Sequence, residues 1–230
     1  MKTETSELIG GVDMARRSFL KYAGAGAAGI GLLAVASCHK DHTVTPTKGI
    51  DIGSGDYGIL NYAYALEQLE AAFYLQVALT PYSGISDTEK ALLTDIRDHE
   101  VCHREFFKAA LGPHAIQALT VDFSKIDFSS RTSVLGAAKA FEDTGVKAYD
   151  GAGYLIQDVN YLAIAGKIVS VEARHAALIH NLIAPGDFAG SDVVDSNGLN
   201  TTLTIAQVLP IANTYLKTKV SASNYNYIAS

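Results

Sequence analysis

Apolar residues recur every three to four positions over four long stretches of this chain, which is the period of an amphipathic α-helix. Alternation of apolar and polar residues, the pattern of a strand, is scarce. The second stretch begins with Ser86-x-x-Glu89, a capping box, and ends at Gly112-Pro113, a helix terminator. The pattern therefore predicts four helices, at about Tyr57–Leu79, Ser86–Leu111, Thr132–Ala152 and Asp158–Ile183.

The lengths of the connections predict how these helices are arranged. About seven residues join the first two helices, and a short connection also joins the last two, so each pair should be antiparallel neighbours. The nineteen residues 112–130 can extend over roughly 60 Å, whereas a bundle helix of this size is roughly 36 Å long. The sequence thus predicts an all-α fold, a four-helix bundle over 56–184 with one long crossover between helices two and three. Residues 185–230 should form an extension with a short helix from Thr204 to Lys217, interrupted by Pro210, and an irregular tail.

The N-terminal region has the features of an export signal. Arg16 and Arg17 precede Ser-Phe-Leu-Lys and an uncharged stretch from Tyr22 to Ser37, which resembles a twin-arginine signal. The stretch is too short and too rich in glycine and alanine for a comfortable membrane span. Val35-Ala36-Ser37-Cys38 resembles a bacterial lipobox, in which the cysteine is lipidated. A plain secretory signal with an incidental cysteine is the alternative.

This resemblance predicts where the mature protein is located. Residues 1–37 would be a signal peptide, Cys38 a lipid anchor and residues 38–55 a flexible tether rich in polar residues. The expected partners are the export machinery and a membrane. The expected location is the periplasmic side of a bacterial cell envelope.

Charge is scarce, and the formal net charge is −6. Charged residues make up 18% of the 230 residues, against about 25% in an average soluble domain. The basic surface that nucleic-acid binding requires is absent, so nucleic acid is excluded as a partner. In a chain so sparing with charge, glutamates on apolar helix faces deserve an explanation.

Glutamate and histidine interrupt the apolar stripes of the second and fourth helices. Each stripe contains Glu-x-x-His, which places both side chains on one helix face. A buried carboxylate costs several kcal/mol unless it is paired or bound to a metal. The two stripes are Ile96, Glu100, His103, Phe107, Leu111 and Ile168, Glu172, His175, Ile179, Leu182.

The first and third helices repeat a second motif, Glu-x6-Tyr. It occurs at Glu67 and Tyr74 and again at Glu142 and Tyr149, so the chain carries a hidden two-fold repeat. The repeat favours Glu67 over its neighbour Glu70, because Glu67 aligns with Glu142 whereas Glu70 aligns with a glycine, Gly145. Glu70 is kept as a substitute ligand.

One glutamate from each of two helices and a Glu-x-x-His from each of the other two is the ferritin-like di-metal arrangement. Residues 61–74, 141–146 and 171–177 resemble the exported ferritin-like domain family, which includes desiccation-related proteins. The resemblance covers 57–183 and continues weakly through 206–209. It implies a ferritin-like bundle with Tyr74 and Tyr149 near the metals, as candidate catalytic residues. It also implies six metal ligands, which are Glu67, Glu100, His103, Glu142, Glu172 and His175.

Four carboxylates and two imidazoles suit iron or manganese, and four negative charges balance two divalent ions. The expected cofactor is therefore a dinuclear iron or manganese centre that reacts with O2 or peroxide. A ferroxidase, peroxidase or catalase-like activity in oxidative-stress protection or iron handling would follow.

Several alternatives remain open at this point. The six residues would otherwise form a polar network inside the bundle, and the tyrosines would be ordinary buried aromatics. The protein would then be a non-catalytic, stress-protective envelope scaffold with a structural or vestigial metal site. Self-association is undecided. Asp143 and Arg174 are candidates for orienting the ligands, whereas His99 and His180 lie off the stripes and are not expected to be ligands.

Overall fold

Helices account for most of the computed structural model, which describes residues 49–229. The predicted all-α bundle is confirmed, and each long helix lies within one or two residues of its predicted bounds. Within this range, single 3-10 turns lie at Gly112–His114, Gly153–Leu155 and Ser223–Tyr225. The helices are α1 Gly55–Leu79, α2 Asp87–Leu111, α3 Arg131–Ala152, α4 Val159–Ile183 and the short α5 Ile205–Asn213.

Side-chain caps begin three of the long helices. Ser86 Oγ accepts the backbone N–H of Glu89 at 3.1 Å, which is one half of the predicted capping box. The other half is absent from this pair, because the Glu89 carboxylate binds Arg131 Nε at 2.9 Å instead. This ion pair joins the start of α2 to the start of α3. Ser130 and Asp158 cap α3 and α4 in the same way as Ser86.

The bundle consists of two helix pairs, α1 with α2 and α3 with α4, around a shared apolar core. Along most of its length α1 is buried, whereas α2 buries one stripe. Polar residues of α1 hold the crossover 112–130 against its surface. Asn61 donates to His114 O at 2.9 Å and accepts from Ile116 N, and Gln68 accepts from Leu119 N at 2.8 Å.

The C-terminal extension contacts the residues that lead into the bundle. A short strand, β1 Ile50–Asp51, pairs in parallel with β2 Val220–Ser221, and Ile52 beside it is buried. The end of the segment predicted as a tether is therefore part of the fold. The predicted Thr204–Lys217 helix is shorter, because the Asn213 side chain bonds the backbone of Val220 in both directions and turns the chain. Pro210 lies inside α5 rather than interrupting it.

The predicted signal, with Arg16, Arg17 and Cys38, lies outside the described residues. Among the residues that are described, no helix combines the length and the apolar composition needed to cross a bilayer.

Candidate metal centre

The six residues predicted as ligands converge at the middle of the bundle. They form two groups of four, and within each group the ligand atoms lie within 4.8 Å of one another. Glu100 and Glu172 belong to both groups. The groups are Glu67, Glu100, His103, Glu172 and Glu100, Glu142, Glu172, His175.

Each histidine meets the shared glutamate of the opposite repeat. His103 Nδ1, on α2, lies 2.6 Å from Glu172 Oε1 on α4. His175 Nδ1, on α4, lies 2.8 Å from Glu100 Oε1 on α2. Despite these short distances, neither nitrogen has a hydrogen bond of acceptable geometry. Both repeats therefore contribute residues to each group of four.

The cluster fits a metal because its buried polar atoms meet as close ion pairs without well-aligned hydrogen bonds. The four glutamates are fully buried, and buried polar groups without hydrogen bonds cost of order 1–3 kcal/mol each, more when charged. A self-sufficient polar network would join these atoms by hydrogen bonds of good geometry. Carboxylate oxygens together with imidazole nitrogens form a donor set that holds divalent metals. The atoms without a hydrogen bond are Glu67 Oε2, Glu142 Oε2, both oxygens of Glu100 and of Glu172, and Nδ1 of His103 and of His175.

The two tyrosines cross between the repeats. Tyr74 on α1 donates its hydroxyl to Glu142 Oε1 on α3 at 2.5 Å, and Tyr149 on α3 donates to Glu67 Oε1 on α1. Each bond occupies one carboxylate oxygen and leaves the other directed at the cluster. Both tyrosines therefore lie beside the predicted ligands, as expected. Burial raises the pKa of both hydroxyls well above the usual value, which keeps them protonated donors.

The family model that matches this chain is that of the ferritin-like domain, over residues 55–185. The chain belongs to the ferritin-like domain family. The matched region contains all four long helices of this ferritin-like domain, and with them both carboxylate–histidine groups. A comparison with curated proteins finds no match.

Glu70 is an additional buried carboxylate of this ferritin-like domain. It is 3% exposed and belongs to neither group of four. A Cβ at Gly145, its counterpart in the repeat, would lie 3.0 Å from Glu70 Oε1. The glycine therefore makes room for Glu70, and the asymmetry seen in the sequence has a steric cause. The geometry thus places Glu67 in a group of four and Glu70 beside it.

In the metal-free protein, bound protons offset the negative charge of the neighbouring carboxylates. Burial raises the pKa of Glu67, raises that of Glu100 well above its usual value, and raises that of Glu142 to about 7. For His103 and His175 burial lowers the pKa, but the adjacent glutamates outweigh it and raise the values to about 10 and about 12.

Glu172 differs from the other three glutamates. Burial raises its pKa, but the two imidazoles outweigh that effect and the pKa is lowered. Without cations, the centre thus contains a charged Glu172 between two imidazolium rings. Cations that replace these protons would bind the same oxygens and nitrogens.

The metal-free protein should lose stability as the pH rises from 5.5 to 8. Glutamates and histidines with a raised pKa hold protons in the folded state at pH values at which the unfolded state has released them. The free energy of unfolding therefore falls as the pH rises from the unfolded-state pKa of each group to its folded-state pKa. One pKa unit of difference between the folded and unfolded states corresponds to 1.36 kcal/mol, so each such unit lost across this range should lower the melting temperature of the chelator-treated chain by roughly 3–5 °C. Scanning calorimetry at several pH values measures this. Glu142→Gln, neutral at every pH, should reduce the slope, and a melting temperature that rises across this range would contradict the charge assignment.

His99, a residue that the stripes did not indicate, contacts the candidate ligand His175 directly. Its Nδ1 lies 2.9 Å from His175 Nε2, and the two rings stack with centroids 5.1 Å apart. This bond orients His175 so that Nδ1 faces the cluster. His99 precedes His103 by four residues, and that spacing was the available indication. The two residues predicted to orient the ligands have other partners. Asp143 bonds His180, and Arg174 donates to the Ser170 carbonyl.

Proposed function

We propose that this ferritin-like domain binds two iron or manganese ions as a dinuclear centre and reacts there with O2 or peroxide. The observation that carries the proposal is the overlap of the two groups of four at Glu100 and Glu172. Glu100 and Glu172 would help to hold both ions. Each ion would then have one further glutamate and one histidine of its own.

The charges support divalent ions of this type. Four carboxylates neutralise two divalent cations, so the loaded centre avoids the cost of burying net charge. Oxygen-rich sites with two imidazoles favour iron and manganese over the softer metals that thiolates select. The bound metal would supply the redox chemistry. The chain would supply the fixed carboxylates, with Tyr74 and Tyr149 each restraining one of them.

An apolar cavity next to the cluster supports access by a small uncharged molecule. Its volume is about 30 Å³, and its walls include Ala63, Phe107, Ala110 and the ring of Tyr149. The Tyr149 hydroxyl contacts Glu67, so the cavity ends one side chain from the cluster. An apolar wall offers water few hydrogen-bond partners, and dioxygen fits such a surface better than peroxide does.

The test is reconstitution of the full-length chain with Fe²⁺ or Mn²⁺, followed by metal analysis and by assays of O2 and peroxide consumption. We expect two ions per chain at this centre, in addition to any ion bound outside it, and oxidant consumption that depends on these two. Fewer than one ion per chain would refute the metal centre. Two ions without consumption of either oxidant would favour the non-catalytic scaffold with a structural metal.

A variant that narrows the apolar cavity beside the cluster provides a second test, of the route by which O2 enters. Ala110 is half-buried, so Ala110→Leu should fill part of the cavity without unfolding the chain. The expected result is O2 consumption reduced several-fold at an unchanged metal content, with peroxide consumption affected less. Equal losses with both oxidants would contradict the selective role of the cavity.

Three statements stay predictions from the sequence. These are export through the twin-arginine signal, lipid attachment at Cys38 and a role in oxidative-stress protection.

A further inference from the structure

A second cluster of potential ligands lies where the loop after α4 meets α3 and α4. Asp143, His180 and Asp192 each offer an atom within 4.8 Å of the others. Asp187 belongs to the same neighbourhood, because its Oδ2 lies 3.5 Å from His180 Nδ1. A cavity of about 50 Å³ adjoins the cluster and is lined by Asp143, His180 and Val193 among others.

The buried His180 ring shows which atom needs a partner. Its side chain is 1% exposed, and its Nε2 lies 2.8 and 3.1 Å from the two oxygens of Asp143. With the ring proton at Nε2, the bond to Asp143 leaves a lone pair at Nδ1. This atom is buried without a hydrogen-bond partner and faces the Asp187 carboxylate, which is also an acceptor. Two facing acceptors repel each other unless a cation lies between them.

This arrangement of carboxylate and imidazole is typical of metal ligands. A histidine that binds a metal through one nitrogen usually donates its other ring N–H to a carboxylate, which fixes the tautomer and the ring orientation. Asp143 is placed to do this for His180.

The loop brings two further carboxylates to the same place. Both carboxylates lie against Gly190. A Cβ added at this glycine would be 2.8 Å from Asp192 Oδ1 and 3.1 Å from Asp187 Oδ1. Lys139 binds the other oxygen of Asp192 at 2.9 Å. Lys147 binds the carbonyl of the same residue at 2.9 Å and holds the loop in position.

The cluster is absent from the first repeat. The positions that correspond to Asp143 and His180 there are Gln68 and Lys108, by the same offsets from the ligand residues. Gln68 accepts the Leu119 N–H and holds the crossover instead. The Asp143–His180 pair is therefore an addition to the second repeat and serves neither group of the dinuclear centre.

We propose that His180 Nδ1, Asp187 and Asp192 bind one divalent transition-metal ion, with Asp143 as the positioning residue. One imidazole and two carboxylates form a mixed donor set that suits Zn²⁺, Fe²⁺ or Mn²⁺ better than Ca²⁺ or Mg²⁺, which prefer oxygen alone. The bound ion would tie the loop after α4 to the bundle.

The test uses Zn²⁺ as the probe and the full-length chain. Asp187→Asn combined with Asp192→Asn removes two ligands that are partly or largely exposed, so the fold should persist, as circular dichroism would verify. Equilibrium dialysis and metal analysis should find one Zn²⁺ fewer per chain in this variant than in the wild type. Asp98→Asn, at an exposed aspartate of α2, is the matched control and should retain the wild-type count.

An equal zinc count in the double variant and the wild type would overturn the proposal. An equally large difference with Ca²⁺ in place of Zn²⁺ would overturn the assignment to a transition metal. Both chains contain the same dinuclear centre, so the difference between them does not depend on whether that centre functions as proposed.

Discussion

Glu100→Gln combined with Glu172→Gln should remove both ions of the dinuclear centre, so the metal content of the reconstituted chain should fall by about two ions. Both residues belong to both groups of four, so the change affects each ion position twice. A neutral amide has nearly the shape of a glutamate but lacks its charge, and two cations would then face two carboxylates rather than four. Metal analysis after reconstitution with Fe²⁺ or Mn²⁺ measures the effect.

The matched control for this variant is Glu105→Gln. Glu105 lies on α2 as well, but its side chain is 51% exposed and pairs with Arg104. Its substitution should leave two ions per chain and oxidant consumption unchanged. An unchanged metal content in the double variant would show that the ions bind elsewhere.

The single variant Glu100→Gln separates a metal centre from a structural polar network. Burial keeps the pKa of Glu100 well above its usual value, so a neutral amide should be tolerated in the metal-free chain. We expect its melting temperature at pH 8, measured after chelator treatment, to equal or exceed that of the metal-free wild type. A clear decrease would indicate that the carboxylate holds the bundle together by its own contacts.

Removing the metal from the wild-type chain should lower its melting temperature by about 10 °C or more. A ligand that binds only the folded state contributes about 4 kcal/mol at a free concentration 1,000 times its Kd. A chain of this size changes its melting temperature by roughly 2–4 °C per kcal/mol. The physical cause is the set of buried oxygens and nitrogens that lack hydrogen bonds, which metal binding would satisfy.

The measurement is scanning calorimetry of the metal-loaded protein before and after chelator treatment at pH 7.5. The same treatment should affect the Glu100→Gln/Glu172→Gln variant much less, since it lacks the ions of this centre. Equal shifts in both proteins would assign the stabilisation to ions outside the bundle core.

Most of the helical framework was predictable from local patterns. Helical periodicity, the Ser86 cap and the Gly112-Pro113 terminator place the long helices to within one or two residues. The bounds of α5 were not predictable, because Asn213 ends it by bonding Val220. Strand β1 was not predictable either, because its partner strand lies about 170 residues away along the chain.

The six candidate ligands could be found from the sequence for a related reason. The spacings Glu-x-x-His and Glu-x6-Tyr are short enough that one helix places both residues on one face. Repetition of both motifs then marked the faces that meet in the core. The contacts of His99 with His175 and of Asp143 with His180 were not predicted, because these contacts are not part of a repeated stripe.

The sequence by itself determined the helices, the faces that carry carboxylates and the identity of the candidate ligands, because these properties depend on residues within a few helical turns. Only the tertiary structure decided which residues meet. It joins Tyr74 to Glu142 across 68 positions and Tyr149 to Glu67 across 82, and it places Glu100 and Glu172 in both groups. Periodicity specifies the direction of a side chain on its own helix, but contacts between helices depend on how the helices pack and on the loops that connect them.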